Sequence, residues 1–201
     1  MKIFLDHPTV VEYAVGSHVL KIYCLNGKIA LASWLGQDKG AQADIRGHRP
    51  IIAKNLTSAG ISEEADTWLE HYLLGAKTPP ISFDWFLWPQ EASKFRIDVW
   101  KALTLVPCGT TVTYLSVAKS IGRQAESARC VAGAIGDNPF SPFIPCHRVI
   151  GNNGSLTGFA AGIEIKKMLL SMERAKPPTE FGARARDNFS CEVFGCDGLS
   201  R

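Results

Sequence analysis

Residues 113–135, TYLSVAKSIGRQAESARCVAGAI, decide the fold of the second part of the chain. Thr113 reads as a helix cap, because its hydroxyl oxygen can accept from a backbone N–H of the first turn. The helix it opens runs to about Ile121, where Gly122 supplies the left-handed residue that ends it. A second short helix is expected over 127–135. Two short helices joined by a tight turn containing glycine form a helix-turn-helix. On that second helix Ser127, Ala128, Cys130 and Ala132 are small enough to let another surface come close, and Arg129 projects among them. A helix packed against its own core, with Arg129 as a solvated edge, fits the same pattern.

Working outward, residues 93–105 read as helical, with Phe95, Val99, Trp100 and Leu103 along one side, and Pro107-Cys108-Gly109 breaks the helix. A last helix spans 162–174, with Ile165, Leu169 and Met172 inward and Lys166 and Lys167 adjacent. Before Pro89 the texture differs. Residues 19–25 and 28–35 read as strands joined by Asn26-Gly27, since both central residues of a type I′ turn need positive φ. Residues 37–49 are polar and read as a surface loop. Residues 62–74 read as a helix capped by Ser62, with Glu63, Glu64 and Asp66 at the positive end of its dipole and Gly75 at its close. Its apolar stripe is Ala65, Trp68, Leu69, Tyr72 and Leu73. Pro79-Pro80 ends this region, and 81–88 is a short aromatic-rich strand or connector. The chain thus divides into an α/β N-terminal domain at 1–90, a small antiparallel sheet plus helix, and a mostly α domain at 91–175 that carries the helix-turn-helix. A tail at 176–201 is expected to be flexible.

With 201 residues, 46% hydrophobic and 20% charged, the composition is that of an ordinary foldable chain. No apolar run approaches the about 18 residues of a membrane span, and the N-terminus lacks the blocks of a signal peptide. A cytoplasmic location, or a nuclear one in a eukaryote, is therefore expected, where the six cysteines stay reduced. Charge is unevenly spread: residues 1–92 carry 8 Lys and Arg against 10 Asp and Glu, whereas residues 93–174 carry 10 against 5. A basic stretch over a helix-turn-helix points to a polyanion such as duplex DNA. It is also what a lysine- and arginine-rich surface looks like.

Pro145-Cys146-His147-Arg148-Val149 is the densest chemical cluster. The thiolate is the nucleophilic form of cysteine, and neighbouring cations or a hydrogen-bonded base raise its fraction. His147 and Arg148 supply either. Cysteine is also among the most buried residue types, so the pentapeptide alone supports a reactive thiol and no named reaction.

Ile144-Pro145-Cys146-His147-Arg148-Val149, followed by Gly154, Gly158, Gly162 and Leu169-Leu170-x-x-Glu173, resembles the O6-alkylguanine-DNA alkyltransferase (methylated-DNA–protein-cysteine methyltransferase) family. So do Phe95-x-x-x-Val99-Trp100, Pro107-x-Gly109-x-x-x-x-Tyr114, and Arg129-x-Val131 with Asn138-Pro139. The resemblance is close over 93–174 and extends to the first 90 residues only in their α/β character. It implies an RNase H-like first domain and a winged-helix-like second one. It also implies a monomer acting on double-stranded DNA that contains alkylated guanine, with no cofactor and no membrane. Cys146 would accept the alkyl group of O6-alkylguanine, and of O4-alkylthymine, irreversibly and once per molecule. His147 would relay the thiol proton through water, held by Glu173. Tyr114 would turn the target phosphate and donate to guanine N3.

Arg129 would fill the stack vacated by a flipped nucleotide, with Ser127, Ala128, Cys130, Ala132, Arg123 and Asn152 as further DNA-contacting positions and the second helix in the minor groove. The substrate pocket would be formed by Val149, Pro142, Phe159, Ala160, Lys166 and Asn138. The backbone carbonyls of Cys146 and Val149 would accept from the guanine amino group, the Ala160 N–H would donate to O6, and Asn138 would be the hinge after the second helix.

Phe159 stands where many members carry tyrosine, and Ala160-Ala161 replaces a Ser or Gly followed by Gly, which narrows the expected pocket. Some members hold zinc in the first domain. Here Cys24 is the only cysteine before Cys108, and His7, His18, His48 and His71 lack a finger-like spacing, so no metal is expected. Cys191 and Cys196 are expected to be idle thiols. Three other readings compete. A damage sensor that flips the base without transfer would lack the cysteine. A cysteine hydrolase would turn over repeatedly and draw its histidine from afar. A major-groove regulator would need several base-reading polar side chains on the second helix.

Overall fold

The computed structural model describes residues 9–15, 18–35, 51–52 and 60–174. The loop expected at 37–49 and the tail at 176–201 lie outside the described residues. The first part is a sheet built around the Asn26-Gly27 turn, where φ is 51° and 75° as a type I′ hairpin requires. That turn joins β2 (His18–Leu25) to β3 (Lys28–Leu35), and β1 (Thr9–Val15) pairs antiparallel with β2 from Thr9↔Cys24 to Val15↔His18. The expected antiparallel sheet is therefore β1–β3. A two-residue β4 (Ile51–Ile52) extends it in parallel along β1, giving the order β3-β2-β1-β4. Leu20, Ile22 and Cys24 of β2 are buried while Lys21 and Tyr23 between them are not, the period of two of a sheet with one covered face.

The cover is α1 (Glu63–Leu73), which buries Ala65, Trp68, Leu69 and Tyr72. The Ser62 hydroxyl accepts from Ala65 N–H at its start, and Gly75, at φ 69°, follows its C-cap. Asp66 accepts from the Tyr13 hydroxyl and so ties α1 to β1. Residues 81–88 prove to be a connector: a 3-10 turn at Phe83–Trp85, then Phe86 bridged to Ile29, with Leu87 N–H donating to the Ile29 carbonyl at 2.8 Å.

The second part is mostly helical. α2 (Lys94–Leu103) stops two residues short of the expected end, because the N–H groups of Thr104, Leu105 and Val106 turn back to carbonyls three residues earlier. β5 (Val112–Thr113) leads into α3 (Tyr114–Ser120), and a 3-10 turn at Ala125–Ser127 leads into α4 (Ala128–Gly136). A further 3-10 turn at Cys146–Arg148 runs into β6 (Val149–Ile150), which pairs in parallel with β5, and α5 (Ile163–Met172) follows. The Trp100 indole donates to the Ala134 carbonyl at 2.7 Å and fixes α4 on α2. One buried cluster runs through both parts, joining Leu20 and Ile22 to Val99, Val131 and Ile165. Across it Trp68 stacks on Phe143 at 5.2 Å and Phe86 packs on Phe140 at 4.6 Å. Among the described residues no helix is long and apolar enough to cross a membrane.

Candidate functional site

The site is assembled where three pieces of backbone meet: the turn at Cys146–Arg148, the end of α5, and the inner face of α1. Residues 141–150 are all buried. The loop leading into them is pinned by Asn138, whose side-chain amide donates to the Ile144 carbonyl at 2.8 Å and to Cys146 Sγ at 3.0 Å, while its Oδ1 accepts from Phe140 N–H. Ala32 N–H of β3 holds the same loop through the Pro139 carbonyl at 2.8 Å.

Cys146 is 5% exposed. Burial pushes its thiol up, against the opposing pull of the Asn138 amide and the Lys166 charge. His147 is fully buried, and burial lowers its pKa despite the neighbouring Glu173 carboxylate. The resting pair is thus a neutral thiol beside a neutral imidazole. His147 Nε2 lies 2.7 Å from Glu173 Oε1, and its Nδ1 has no protein hydrogen-bond partner.

Glu173 is the most heavily solvated carboxylate of the described residues, and its solvent is protein. Oε1 takes His147 Nε2, Arg148 Nη2 at 2.9 Å and the Tyr72 hydroxyl at 2.8 Å; Oε2 takes Arg148 Nε at 2.9 Å and Gly109 N–H at 3.3 Å. Burial alone would raise its pKa, but the His147 ring and the two-pronged Arg148 guanidinium hold it well below the usual carboxylate range. The remaining Arg148 nitrogen donates to the Val106 carbonyl.

Lys166, from α5, is fully buried and donates to the carbonyls of Val149 at 2.6 Å and Thr157 at 3.0 Å, with Phe159 6.0 Å from its nitrogen. Burial pushes its pKa down to about 8. The Val149 carbonyl thus already has one donor, as does the Cys146 carbonyl, which accepts from Val149 N–H. Each keeps a second lone pair. Tyr114 opens α3, aligned on the site by the β5–β6 pairing, and its hydroxyl donates to the Thr157 carbonyl at 3.0 Å. A Cβ on Gly158, which sits at φ 60°, would come within 3.3 Å of that hydroxyl. Pro142 is buried in the loop, Phe159 is half-buried, and Ala160 is exposed.

The other predicted positions lie apart from this cluster, on the outside. Arg129 and Cys130 are exposed on α4, Ser127, Ala128 and Ala132 are half-buried beside them, and Asn152 is exposed in the turn after β6. Arg123 is exposed and packs over the Phe95 ring at 5.6 Å. A Cβ built on Gly133 or Gly136 of α4 would meet nothing within 4 Å, so internal packing does not require those glycines. Sequence reading missed three residues of the buried cluster, of which Val106 contributes only its carbonyl, to Arg148. Gly109 contributes only a backbone N–H. Tyr72 reads as one more member of an apolar stripe, and the sole signal is its hydroxyl, a polar tip that the Trp68 indole of the same stripe shares.

Residues 94–175 match the model of the 6-O-methylguanine DNA methyltransferase, DNA binding domain. The chain is 46% identical over 110 residues to a methylated-DNA–protein-cysteine methyltransferase of Methanosarcina acetivorans, an alignment covering 55% of this chain and 67% of that one. An inducible protein of the same description from Bacillus subtilis is 46% identical over 82 residues, covering 41% of this chain and 45% of its own. In structure the chain is similar to the O6-methylguanine methyltransferase of Mycobacterium tuberculosis, with a TM-score of 0.64 and 30% identity over 84% of this chain and 92% of that one. A structure of the Mycobacterium tuberculosis OGT in complex with DNA matches at the same TM-score and identity, over 84% and 94%.

Proposed function

The chain belongs to the methylated-DNA–protein-cysteine methyltransferase family, and on that premise we propose that it repairs DNA by moving the alkyl group of O6-alkylguanine, and of O4-alkylthymine, onto Cys146. The observation that carries this reading is the Asn138–Cys146 contact beside a His147 whose Nε2 is committed to Glu173 and whose Nδ1 is free to accept a proton. The Cys146 proton passes through water to His147 Nδ1. The sulfur lone pair forms the bond to the alkyl carbon as the carbon–O6 bond breaks. The electron pair stays on guanine, whose developing charge is met by the Tyr114 hydroxyl at N3 and the Ala160 N–H at O6. Glu173 holds the imidazolium that results, and Arg148 fixes the Glu173 carboxylate in place. A thioether does not revert, so each molecule acts once.

Support for the DNA-binding half of the reading comes from α4. It presents small residues and an exposed Arg129, which suits close approach to the minor groove and filling of the stack when the nucleotide is flipped. Arg123 and Asn152, both exposed, are read as further phosphate or sugar contacts. Val149, Pro142, Phe159, Lys166 and Asn138 border the base. The strand order β3-β2-β1-β4 supports an RNase H-like first domain at 1–90, and the α2–α4 helices with the short β5–β6 pair a winged-helix-like second domain at 91–175. The protein acts as a monomer on double-stranded DNA. Cys24, Cys108, Cys130 and Cys146 are all unpaired thiols, which supports a reducing cytoplasmic or, in a eukaryote, nuclear location.

Intact mass after incubation with a duplex carrying O6-methylguanine is the test. One permanent methyl adduct is expected, located on Cys146 and lost in Cys146→Ala. Continued release of product beyond one equivalent, or an adduct elsewhere, overturns the reading.

A further inference from the structure

The Tyr72 hydroxyl donates to Glu173 Oε1 at 2.8 Å and lies 3.3 Å from His147 Nε2, while Glu173 Oε1 is 2.7 Å from the same nitrogen. A phenol that has given its one proton to a carboxylate offers only lone pairs to its other neighbour. Two acceptors therefore converge on Nε2. We propose that Tyr72, a residue of α1 in the first part of the chain, is a positioning residue that locks His147 in the tautomer with its proton on Nε2 and its Nδ1 lone pair free for the Cys146 proton. The opposite tautomer would set the Nε2 lone pair against a carboxylate oxygen and a phenol oxygen in a dry site, where such repulsion is strongest.

The phenol ring has little freedom to follow any other arrangement. It stacks on Trp68 at 5.3 Å and 7°, and Trp68 is held by its own indole bond to the Pro79 carbonyl at 3.0 Å and by the Phe143 ring. α1 thereby does more than cover the sheet: it delivers the third contact to the proton-accepting side chain. The charged and titratable groups around His147 are Glu173 and Lys166 from α5, Arg148 from its own turn, Tyr72 from α1 and the adjoining Cys146, with Cys108 acting on Glu173 and Tyr72 from the loop before β5.

This proposal rests on the transfer reading, so its test has one arm that does not need transfer. In the full chain labelled with 15N at histidine, the His147 ring shifts are expected to report the Nε2–H form, and Tyr72→Phe is expected to report a mixture. With free benzylguanine, Tyr72→Phe is expected to lower the maximal transfer rate about tenfold, the scale of one lost hydrogen bond to a charged group, and to leave the half-saturating concentration unchanged. With one acceptor gone from Nε2–H the protonated ring is held less well, so the acid limb of the rate profile moves to lower pH. Trp68→Phe keeps the hydroxyl while loosening its support, and is expected to lower stability without moving that limb. Ring shifts and a pH profile superimposable on the unsubstituted protein overturn the proposal, as does an equal displacement in Trp68→Phe. Absence of any adduct on the unsubstituted protein would overturn the repair reading alone, and the ring shifts would still decide the role of Tyr72.

Discussion

The buried cluster around Glu173 and the outer face of α4 are opposite solutions to placing a charged residue. Glu173 and Arg148 sit in the interior with their groups matched to partners drawn from the loop at Gly109, from Val106 and from Tyr72. Arg129 stands exposed among small side chains and open glycine positions. Charges taken out of water have to be met in full by protein, and the Glu173 and Arg148 charges are accordingly paired before any substrate arrives, while His147 Nδ1 stays open. The α4 face is left bare instead, which fits its proposed role toward a large polar partner, because every internal contact there would have to be broken on binding.

The sharpest way to break this comparison is to remove one charge from each side. Glu173→Gln leaves the Arg148 guanidinium buried without its counter-ion, and a loss of about 3–5 kcal/mol in urea unfolding is expected. The same cluster sets an acid response. The unfolded Glu173 takes a proton near its ordinary pKa of about 4.3, whereas the folded one does so only well below that range, so its stabilisation is full above about pH 5 and drains away as pH falls further. Glu173→Gln is expected to flatten that part of the stability profile. An unchanged unfolding midpoint would show that the cluster is not the fixed unit described.

Arg129→Ala should do the reverse: little change in stability, within about 0.5 kcal/mol, and a large change on DNA. Transfer from a duplex is expected to slow by about 10- to 100-fold, since extruding a base costs a few kcal/mol that the proposed role of Arg129 would offset. The loss on free benzylguanine should be much smaller. Equal losses in single-turnover assays on the two substrates would take Arg129 out of the flipping role.

Gly133→Ala is the finest probe. Its added methyl meets no protein atom, so thermal unfolding should show a gain of about 0.5–1 kcal/mol from reduced backbone freedom. Duplex binding should weaken modestly if that methyl stands on the face proposed to meet DNA. A gain in stability with unaltered binding would move the contact surface elsewhere on α4.

How far these regions were legible in the sequence follows the range of the interactions involved. Ser62, Thr113 and Asn26-Gly27 mark their helix starts and hairpin because each acts within a few residues of itself. The end of α2 was misjudged by two residues, since Leu105 continues the apolar pattern while its N–H has already turned back to the third carbonyl. β1 carried no turn signal of its own, and Val10 and Val11 are buried in succession, which hides the period of two. The two-residue β5 and β6 are visible only as a pair separated by more than thirty positions.

The sequence by itself determined the local elements, the basic second part and the order of Tyr114, Arg129, Asn138, Cys146, His147 and Glu173, because helix caps, turn residues and motif spacing are written along the chain. Only the tertiary structure decided that Asn138 donates to the Cys146 sulfur, that Arg148 rather than solvent answers Glu173, and that a tyrosine 75 positions before His147 reaches it from α1. Those contacts exist because the shared core presses α1, the 138–150 loop and α5 together, and a buried polar atom then bonds to whichever partner the packing brings within reach.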